Sequence, residues 1–306
     1  MPTEKYAKEH FAIEKNKENI KTKFISTPES VKVQLLDWPD PERLKKVFVN
    51  FSEGSWFQDF YSQAEPSELE QPVKDLFEGK MLGQALEHPT FYFLVSGLTL
   101  NDSHAVVRSR VGICYIQQSG AVRPQTDDDI LVPKAFTKHP ELLEQYKLWV
   151  FRGKKLYQNL LETGDIAITD ARMALPRTVP VWIHISVNLN TLLGIYRKRS
   201  DTNEEYPGLN SMVFQMRDLI LEKFPYMKNY FVCGCDNKSC MHCRESYKAN
   251  CIFKRDEKHQ LPKGVPDNWT LHDKTKKELM LDCKPFETEY YIGPKKVTKD
   301  EYENTK

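Results

Sequence analysis

Residues 86–110 read LEHPTFYFLVSGLTLNDSHAVVRSR and contain a clear strand-then-helix pattern. The segment FYFLV (91–95) is aromatic and β-branched, which predicts a buried strand closed by Ser96-Gly97. Asn101 or Asp102 is expected to cap the helix that follows, because short polar side chains accept hydrogen bonds from the free amides of a first helical turn. The stretch therefore predicts a buried strand that leads directly into a helix.

Further elements of both kinds are predicted on either side of this stretch. The expected strands are residues 31–39 and 181–187, and the expected helices are residues 42–51, 79–87, 140–164, 165–176, 189–199 and 208–223. Asn188 is the expected cap of helix 189–199, and the polar residues 116–134 are expected to form a loop. Residues 1–30 are rich in Lys and Glu and predict a solvated helix or a mobile arm. The pattern indicates a mixed α/β fold.

Composition and charge limit the function classes. The 306 residues include 44 Lys and Arg against 43 Asp and Glu, which excludes the globally basic character of a protein that coats nucleic acid. No apolar run approaches the ~20 residues that span a bilayer, and MPTEKYAKEH (1–10) lacks a signal peptide's apolar stretch. We expect a soluble protein of the cytoplasm, or of a host's cytoplasm if a virus encodes it, with no membrane partner.

A set of arginines marks the candidate binding chemistry. Arg108 and Arg110 stand just before the polar loop QQSG (117–120), while Arg172 and Arg199 lie on predicted helices. Guanidinium groups and exposed backbone amides are fixed donors that suit phosphate. A single arginine at a helix end is also ordinary compensation of the helix dipole, so the argument depends on the whole set.

This set resembles the signature of the flavin-dependent thymidylate synthases, the ThyX family. Residues 86–110 and the QQSG loop are similar to the family's strand, its Arg-His-Arg helix end and its nucleotide loop. The segment ARMALP (171–176), followed by Asn188 and Arg199, matches the family's second block in spacing. The resemblance covers residues 31–225, and it implies a catalytic domain there with a mixed sheet and packed helices.

The resemblance also implies a chemistry and a set of site residues. FAD would take hydride from NADPH, methylenetetrahydrofolate would supply the carbon, and a pyrimidine nucleotide such as dUMP would accept it, in a homotetramer with active sites between subunits. The implied flavin-binding positions are Thr90, Arg108, Ser109, Arg110, Asn188 and Asn190. The implied nucleotide-binding positions are Arg108, Gln117, Ser119, Gly120, Arg123 and Arg172.

Arg199 is the implied catalytic residue. Pyrimidine C5 is a weak nucleophile until negative charge develops across N3, O4 and C5. A guanidinium in a water-poor pocket stabilises that charge more in the transition state than in the ground state, which lowers the barrier. Because no protein nucleophile is needed, Cys114 is expected to be a small buried apolar residue and not a catalyst.

Departures from the family pattern leave the exact reaction open. The family's central His is Ser109, its loop Glu is Gln117, and its loop Arg is Ala121 unless Arg123 replaces it. Ala105 and Gly194 also differ from the usual residues. Three explanations of these departures remain: a different pyrimidine nucleotide, a different one-carbon product such as hydroxymethyl, or a nucleotide-binding relative without the reaction, with or without flavin. Ordinary thymidylate synthesis also stays open.

The C-terminal segment 226–306 is a Cys-rich extension. Cys233, Cys235, Cys240 and Cys243 fall within eleven residues, and four thiolates could close a tetrahedral structural zinc site. Reduced, partly buried thiols are the alternative.

The cysteines and charges of this extension bear on two other function classes. A zinc deaminase needs Pro-Cys-x-x-Cys, but Ser239 stands in place of the proline, so that interpretation fails. A zinc module that binds nucleic acid stays open as a weaker alternative, because the extension has only 16 Lys and Arg against 13 Asp and Glu.

Overall fold

The computed structural model describes residues 20–53, 70–77, 83–120, 125, 129–200, 206–231 and 286–305. The strands are β1 (Lys21–Thr27), β2 (Lys32–Asp37), β3 (Thr90–Thr99), β4 (Ile113–Gln117), β5 (Ile130–Pro133), β6 (Pro180–Asn188), β7 (Glu289–Ile292) and β8 (Lys295–Val297). The helices are α1 (Pro41–Glu53), α2 (Glu70–Phe77), α3 (Leu100–Val106), α4 (Pro140–Glu162), α5 (Ile168–Ala171), α6 (Leu189–Arg199), α7 (Pro207–Lys223) and α8 (Lys299–Asn304). Short 3-10 turns cover Gly83–Glu87, Lys134–Lys138, Arg172–Ala174 and Pro225–Tyr230. The predicted α+β class is confirmed.

The central sheet has the strand order β2-β3-β6-β4, and every pairing in it is antiparallel. Alternate residues of β3, namely Phe91, Phe93 and Val95, have no exposed surface, as the period-2 pattern of a half-buried strand requires. They pack into one core with residues of α1, α6 and α7. The predicted strands 31–39, 91–95 and 181–187 are therefore confirmed.

A second sheet has the order β5-β1-β7-β8 and joins the two ends of the described chain. Strand β1 pairs in parallel with β5 and antiparallel with β7. Phe24 at the centre of β1 is fully buried and contacts Phe151 of α4 and Tyr291 of β7 edge-on. The prediction of a helix or mobile arm is thus wrong for residues 21–27, which form a strand inside the fold.

Local hydrogen bonds explain where the helices begin. Asn188 caps α6 as predicted, since its side chain accepts a hydrogen bond of 2.9 Å from the Thr191 amide. Helix α3 is capped by Thr99, whereas Asn101 or Asp102 was predicted. Asp102 instead completes a reciprocal capping box, in which its carboxylate accepts from the Thr99 amide at 3.0 Å. Burial raises the pKa of Asp102, and these hydrogen bonds act in the opposite direction.

The segments around the candidate site differ from prediction in two places. Residues 116–134, expected to be a loop, include the last two residues of β4 and all of β5. The expected helix 165–176 is only the single turn α5 followed by the 3-10 turn Arg172–Ala174. Helix α4 runs from Pro140 as predicted, and Gly153 within it lets the Ala174 carbonyl approach closely, since a Cβ there would lie 2.6 Å from that oxygen.

None of the described helices is long and apolar enough to cross a bilayer.

Candidate functional site

Two groups of predicted site residues lie at opposite ends of strand β6. Gln117 at the end of β4 pairs with Ile183, near the start of β6. Thr90 at the start of β3 pairs with Asn188, the last residue of β6. Five residues separate these levels, roughly 17 Å at about 3.4 Å per residue. We call the end of β6 near Gln117 the loop end and the opposite end the Asn188 end.

The loop end contains a cavity of about 710 Å³. It brings three predicted nucleotide-binding residues of the loop, Gln117, Ser119 and Gly120, together with Arg172, which lies more than fifty positions later in the sequence. The loop itself is fixed to the sheet, because the Gln118 amide donates a hydrogen bond of 2.9 Å to the Trp182 carbonyl. The predicted grouping of this loop with Arg172 therefore corresponds to one cavity wall.

The lining of this cavity is cationic. Arg172, Arg177 and His104 all line it, and its described lining includes no Asp or Glu side chain. Exposed guanidinium groups without a competing carboxylate favour an anionic ligand, and Arg can hold a phosphate through two parallel N–H donors. Sequence reasoning missed Arg177 and His104, because a single arginine or histidine outside a spaced motif carries no signal.

The Asn188 end carries the predicted flavin-binding positions Thr90, Asn188 and Asn190. The Asn188 amide donates to the Gly112 carbonyl at 2.8 Å, which fixes the turn that follows Arg110. Gly112 has φ +68°, and a Cβ there would lie 2.4 Å from the Asn188 side-chain nitrogen. Glycine is required at this turn both for its backbone conformation and for the close approach of Asn188.

Polar groups at this end are available to a ligand. Thr90, Arg108, Arg110 and Asn190 are exposed. The Asn190 side chain donates to Glu87 at 3.3 Å. The exposed guanidinium groups of Arg108 and Arg110 are donors of the kind that fit a phosphate-bearing cofactor such as FAD.

Arg199 is not among the described residues that line the cavity, and it lies beside the C-terminal end of α3. Its Nη2 atom donates to the Ala105 carbonyl at 3.4 Å, and its guanidinium carbon lies 5.8 Å from the ring centre of Tyr206. Its charge acts on Tyr115, a half-buried residue of β4. Burial raises the pKa of Tyr115 to about 12, although Ser109, Arg110 and Arg199 act in the opposite direction.

The structure thus brings Ser109, Arg110 and Arg199 together around Tyr115, but not with the cavity. Neither Arg108 nor Arg199 is among the described residues that line it. Tyr115 is a further residue that the sequence did not indicate. Cys114 is exposed on the sheet, so the prediction that it is buried is wrong.

The metal prediction cannot be placed on this structure. Arg123 and the four zinc-ligand candidates Cys233, Cys235, Cys240 and Cys243 lie outside the described residues. Within the described residues, no group of three or more His, Cys, Asp or Glu side chains could hold a metal ion. The zinc site remains a prediction.

Comparisons with known proteins identify relatives of this chain. The family model described as thymidylate synthase complementing protein (Thy1) matches residues 34–226. A flavin-dependent thymidylate synthase of Pyrococcus abyssi is 33% identical over 111 residues, which cover 35% of this chain and 45% of that protein. The chain thus spans about half the length of this relative. The flavin-dependent thymidylate synthase of Clostridium tetani is 26% identical over 260 residues, which cover 73% of this chain and 97% of that protein.

A solved structure agrees with the fold. The UMP/dUMP methylase PolB from Streptomyces cacaoi superposes with a TM-score of 0.56 at 17% identity, over 68% of this chain and 96% of that one. The resemblance inferred from the sequence is therefore confirmed. Because the family model matches more than half of the 306 residues, the chain belongs to the thymidylate synthase complementing protein family, that of the flavin-dependent thymidylate synthases.

Proposed function

We propose that this protein is a flavin-dependent enzyme that transfers a one-carbon unit to C5 of a pyrimidine nucleotide, dUMP or a close analogue. The observation that carries the proposal is the cationic cavity, in which Arg172 and the Gln117–Gly120 loop meet without a carboxylate in the described lining. The similar fold of PolB, a UMP/dUMP methylase whose structure holds 5-Br dUMP, supports a pyrimidine nucleoside monophosphate as the acceptor.

In this proposal the cavity binds the nucleotide through its phosphate. Arg172 supplies a guanidinium fork, and Gln117, Ser119 and Gly120 supply side-chain and backbone donors. Arg108 and the undescribed Arg123 are further candidates for the same ligand. A nucleoside monophosphate carries close to two negative charges at neutral pH, which suits a lining of this sign.

Arg199 is the proposed catalytic residue. It is half-buried, so its interaction with the developing charge on the pyrimidine is less screened than at a fully exposed site. A donor of this kind typically accelerates turnover by about 10²–10³-fold. The neighbouring Tyr115 is expected to stay neutral at physiological pH, because burial raises its pKa to about 12.

The Asn188 end is the proposed flavin site. Arg108 and Arg110 would bind the cofactor's phosphates, and Thr90, Ser109, Asn188 and Asn190 would fix its orientation. When bound, FAD supplies hydride chemistry with NADPH as the source. For a methyl product the C5–H bond of the acceptor breaks and a C5–CH3 bond forms. Methylenetetrahydrofolate would supply the carbon with two of its hydrogens, and hydride from NADPH would supply the third. The released C5 proton and one proton from solvent would complete the tetrahydrofolate that leaves.

The separation within one chain supports a site that is shared between subunits. The cavity and the Asn188 end lie roughly 17 Å apart along β6 at about 3.4 Å per residue, and Arg199 does not line the cavity in the described part of the chain. We therefore propose a homo-oligomer, a tetramer, in which one chain's Arg172 cavity meets a neighbour's Arg199 and flavin end. A hydroxymethyl product, or a relative that binds a nucleotide without flavin, are the alternatives.

The visible absorption spectrum of the purified full chain, before and after FAD and dUMP are added, tests this proposal. A flavin spectrum that dUMP perturbs would support a shared site, and product analysis with methylenetetrahydrofolate and NADPH would then distinguish methyl from hydroxymethyl. A colourless protein that takes up no FAD would overturn the flavin mechanism.

We also propose structural zinc on Cys233, Cys235, Cys240 and Cys243. Metal analysis of the purified chain tests it directly. About one zinc per chain, lost when these cysteines are replaced by serine, is the expected result, and a chain purified without metal that keeps its stability would contradict it.

A further inference from the structure

Arg177 lies on a turn that is fixed to its surroundings by hydrogen bonds. The turn is closed by the Val179 amide, which donates to the Pro176 carbonyl at 3.3 Å. The Thr178 carbonyl accepts from the Leu131 amide of β5 at 2.9 Å. Arg177 is therefore held by a rigid backbone, in contrast to an arginine on a free surface loop.

Two more contacts hold the same turn. The Val179 carbonyl accepts from the Leu100 amide at the start of α3, at 3.2 Å, and the Thr178 hydroxyl is hydrogen-bonded to the Tyr146 hydroxyl of α4. The turn is thus tied to a strand and two helices. Ordering such a guanidinium on a ligand costs less than ordering one on a mobile segment, because the backbone is already in place.

Arg172 lies on the same cavity wall, five residues earlier, on a second fixed segment. The Leu175 amide donates to the Arg172 carbonyl at 3.0 Å and closes the 3-10 turn. The buried Pro176 connects this turn to that of Arg177. Both guanidinium groups are exposed, both line the cavity, and the described lining contains no carboxylate to neutralise them.

We propose that Arg177 is a second phosphate-binding arginine, which makes the cavity specific for nucleotides over nucleosides. This inference rests on the proposed function, because it assumes that the cavity is the nucleotide site. Two guanidinium groups on adjacent fixed turns match the charge of a phosphate dianion and its several acceptor oxygens. A ligand without the phosphate would leave both charges without a counterion in the described lining of the cavity.

The test compares the binding of dUMP and of deoxyuridine to the full-length chain by titration calorimetry. Arg177→Ala and Arg177→Gln are expected to weaken dUMP binding by about 10- to 100-fold, the range for loss of a charged hydrogen bond. Deoxyuridine binding should change by less than about threefold. Arg177→Lys should give an intermediate value for dUMP, because it keeps the charge but loses the fork. Arg43→Ala, which removes an exposed arginine of α1, is the matched control and should leave both affinities unchanged.

Each other result overturns the inference in a recognisable way. Unchanged dUMP affinity in both Arg177 variants would exclude a phosphate contact. Equal weakening of dUMP and deoxyuridine would indicate a general structural effect, and weakening of FAD but not of dUMP would assign Arg177 to the cofactor. Failure of the wild-type chain to bind either dUMP or UMP would instead contradict the proposed function itself.

Discussion

The hydroxyl of Tyr115 donates a hydrogen bond of 2.9 Å to the carbonyl oxygen of Val106. This bond ties the middle of β4 to the C-terminal end of α3, where carbonyl groups have no partner within the helix. The segment between the two residues contains the Arg-Ser-Arg motif, so this hydrogen bond helps to close the loop on which the proposed flavin-binding arginines lie. The Ser109 amide, which donates to the same Val106 carbonyl at 3.3 Å, also contributes.

Tyr115→Phe should lower the free energy of unfolding by about 1 kcal/mol, the typical net value of one hydrogen bond. Urea unfolding at pH 7 measures it. Tyr290→Phe is the matched control, because the structure places no hydrogen-bond partner for the Tyr290 hydroxyl among the described residues. Equal stability of the two variants would mean that the Val106 contact contributes nothing.

Much of the fold could be predicted from local patterns, and one group of candidate site residues could be predicted from the family resemblance. Asn188 was identifiable as a cap because a strand ends at it and a helix of suitable spacing begins after it. The QQSG loop and Arg172 were grouped by resemblance, and they line one cavity. Arg177 and Tyr115 were not predicted, because neither belongs to a spaced motif. Their places in the site depend on segments that only the folded chain brings together.

Strand β1 was missed for a different physical reason. Its inward-facing residues are Thr22, Phe24 and Ser26, and two of these three are polar. The hydroxyl of Thr22 accepts a hydrogen bond of 3.0 Å from the Nζ atom of Lys154, a buried lysine of α4. A strand stabilised by buried polar contacts has no apolar alternation, so sequence periodicity cannot reveal it.

Gly97→Ala should be strongly destabilising. Gly97 has φ +77°, and a Cβ at this position would lie 2.0 Å from the backbone oxygen of Ser30. Left-handed backbone alone costs an alanine about 1–2 kcal/mol, and the clash with another backbone segment adds to it, so we expect a loss of at least about 2 kcal/mol by thermal or urea unfolding.

The matched control for this change is Gly194→Ala. Gly194 lies on α6, and a Cβ there would meet no atom within 4 Å. Because alanine is favoured over glycine inside a helix by about 1 kcal/mol, this variant should be equally or more stable than the wild type. A Gly97→Ala protein as stable as Gly194→Ala would contradict the positive φ at position 97.

Glu289 should make folding stability depend on pH. Burial opposes its ionisation, but hydrogen bonds and charges from Lys147 and Lys296 outweigh that effect and lower its pKa from the ordinary 4.5. A lowered folded-state pKa stabilises the fold above pH 4.5, and this contribution is lost as the pH falls through the folded value. The Lys147 side chain is only 3% exposed, so the charge of Glu289 is needed to stabilise this buried ammonium group in the folded state.

Glu289→Gln should therefore cost about 2 kcal/mol at pH 7 and much less at pH 3, as measured by urea unfolding at both values. Glu303→Gln, on the exposed helix α8, is the control and should change stability little at either pH. A Glu289→Gln penalty of the same size at both values would exclude a charge effect.

Arg199→Ala should strongly reduce turnover while leaving flavin and nucleotide bound. The half-buried guanidinium is proposed to stabilise charge that exists on the pyrimidine only in the transition state, so its loss should reduce kcat by about 10²–10³-fold with little effect on the affinity for dUMP. Steady-state and single-turnover kinetics measure the loss of rate, and titration of the flavin absorption spectrum with dUMP measures the affinity. Arg197→Ala removes an exposed arginine two residues earlier on the same helix and should retain normal turnover.

If Arg199→Ala also turned over normally, the match of this residue to the family's catalytic position would be wrong. If it lost flavin as well as activity, its contact with the Ala105 carbonyl would instead indicate a structural role in holding the end of α3.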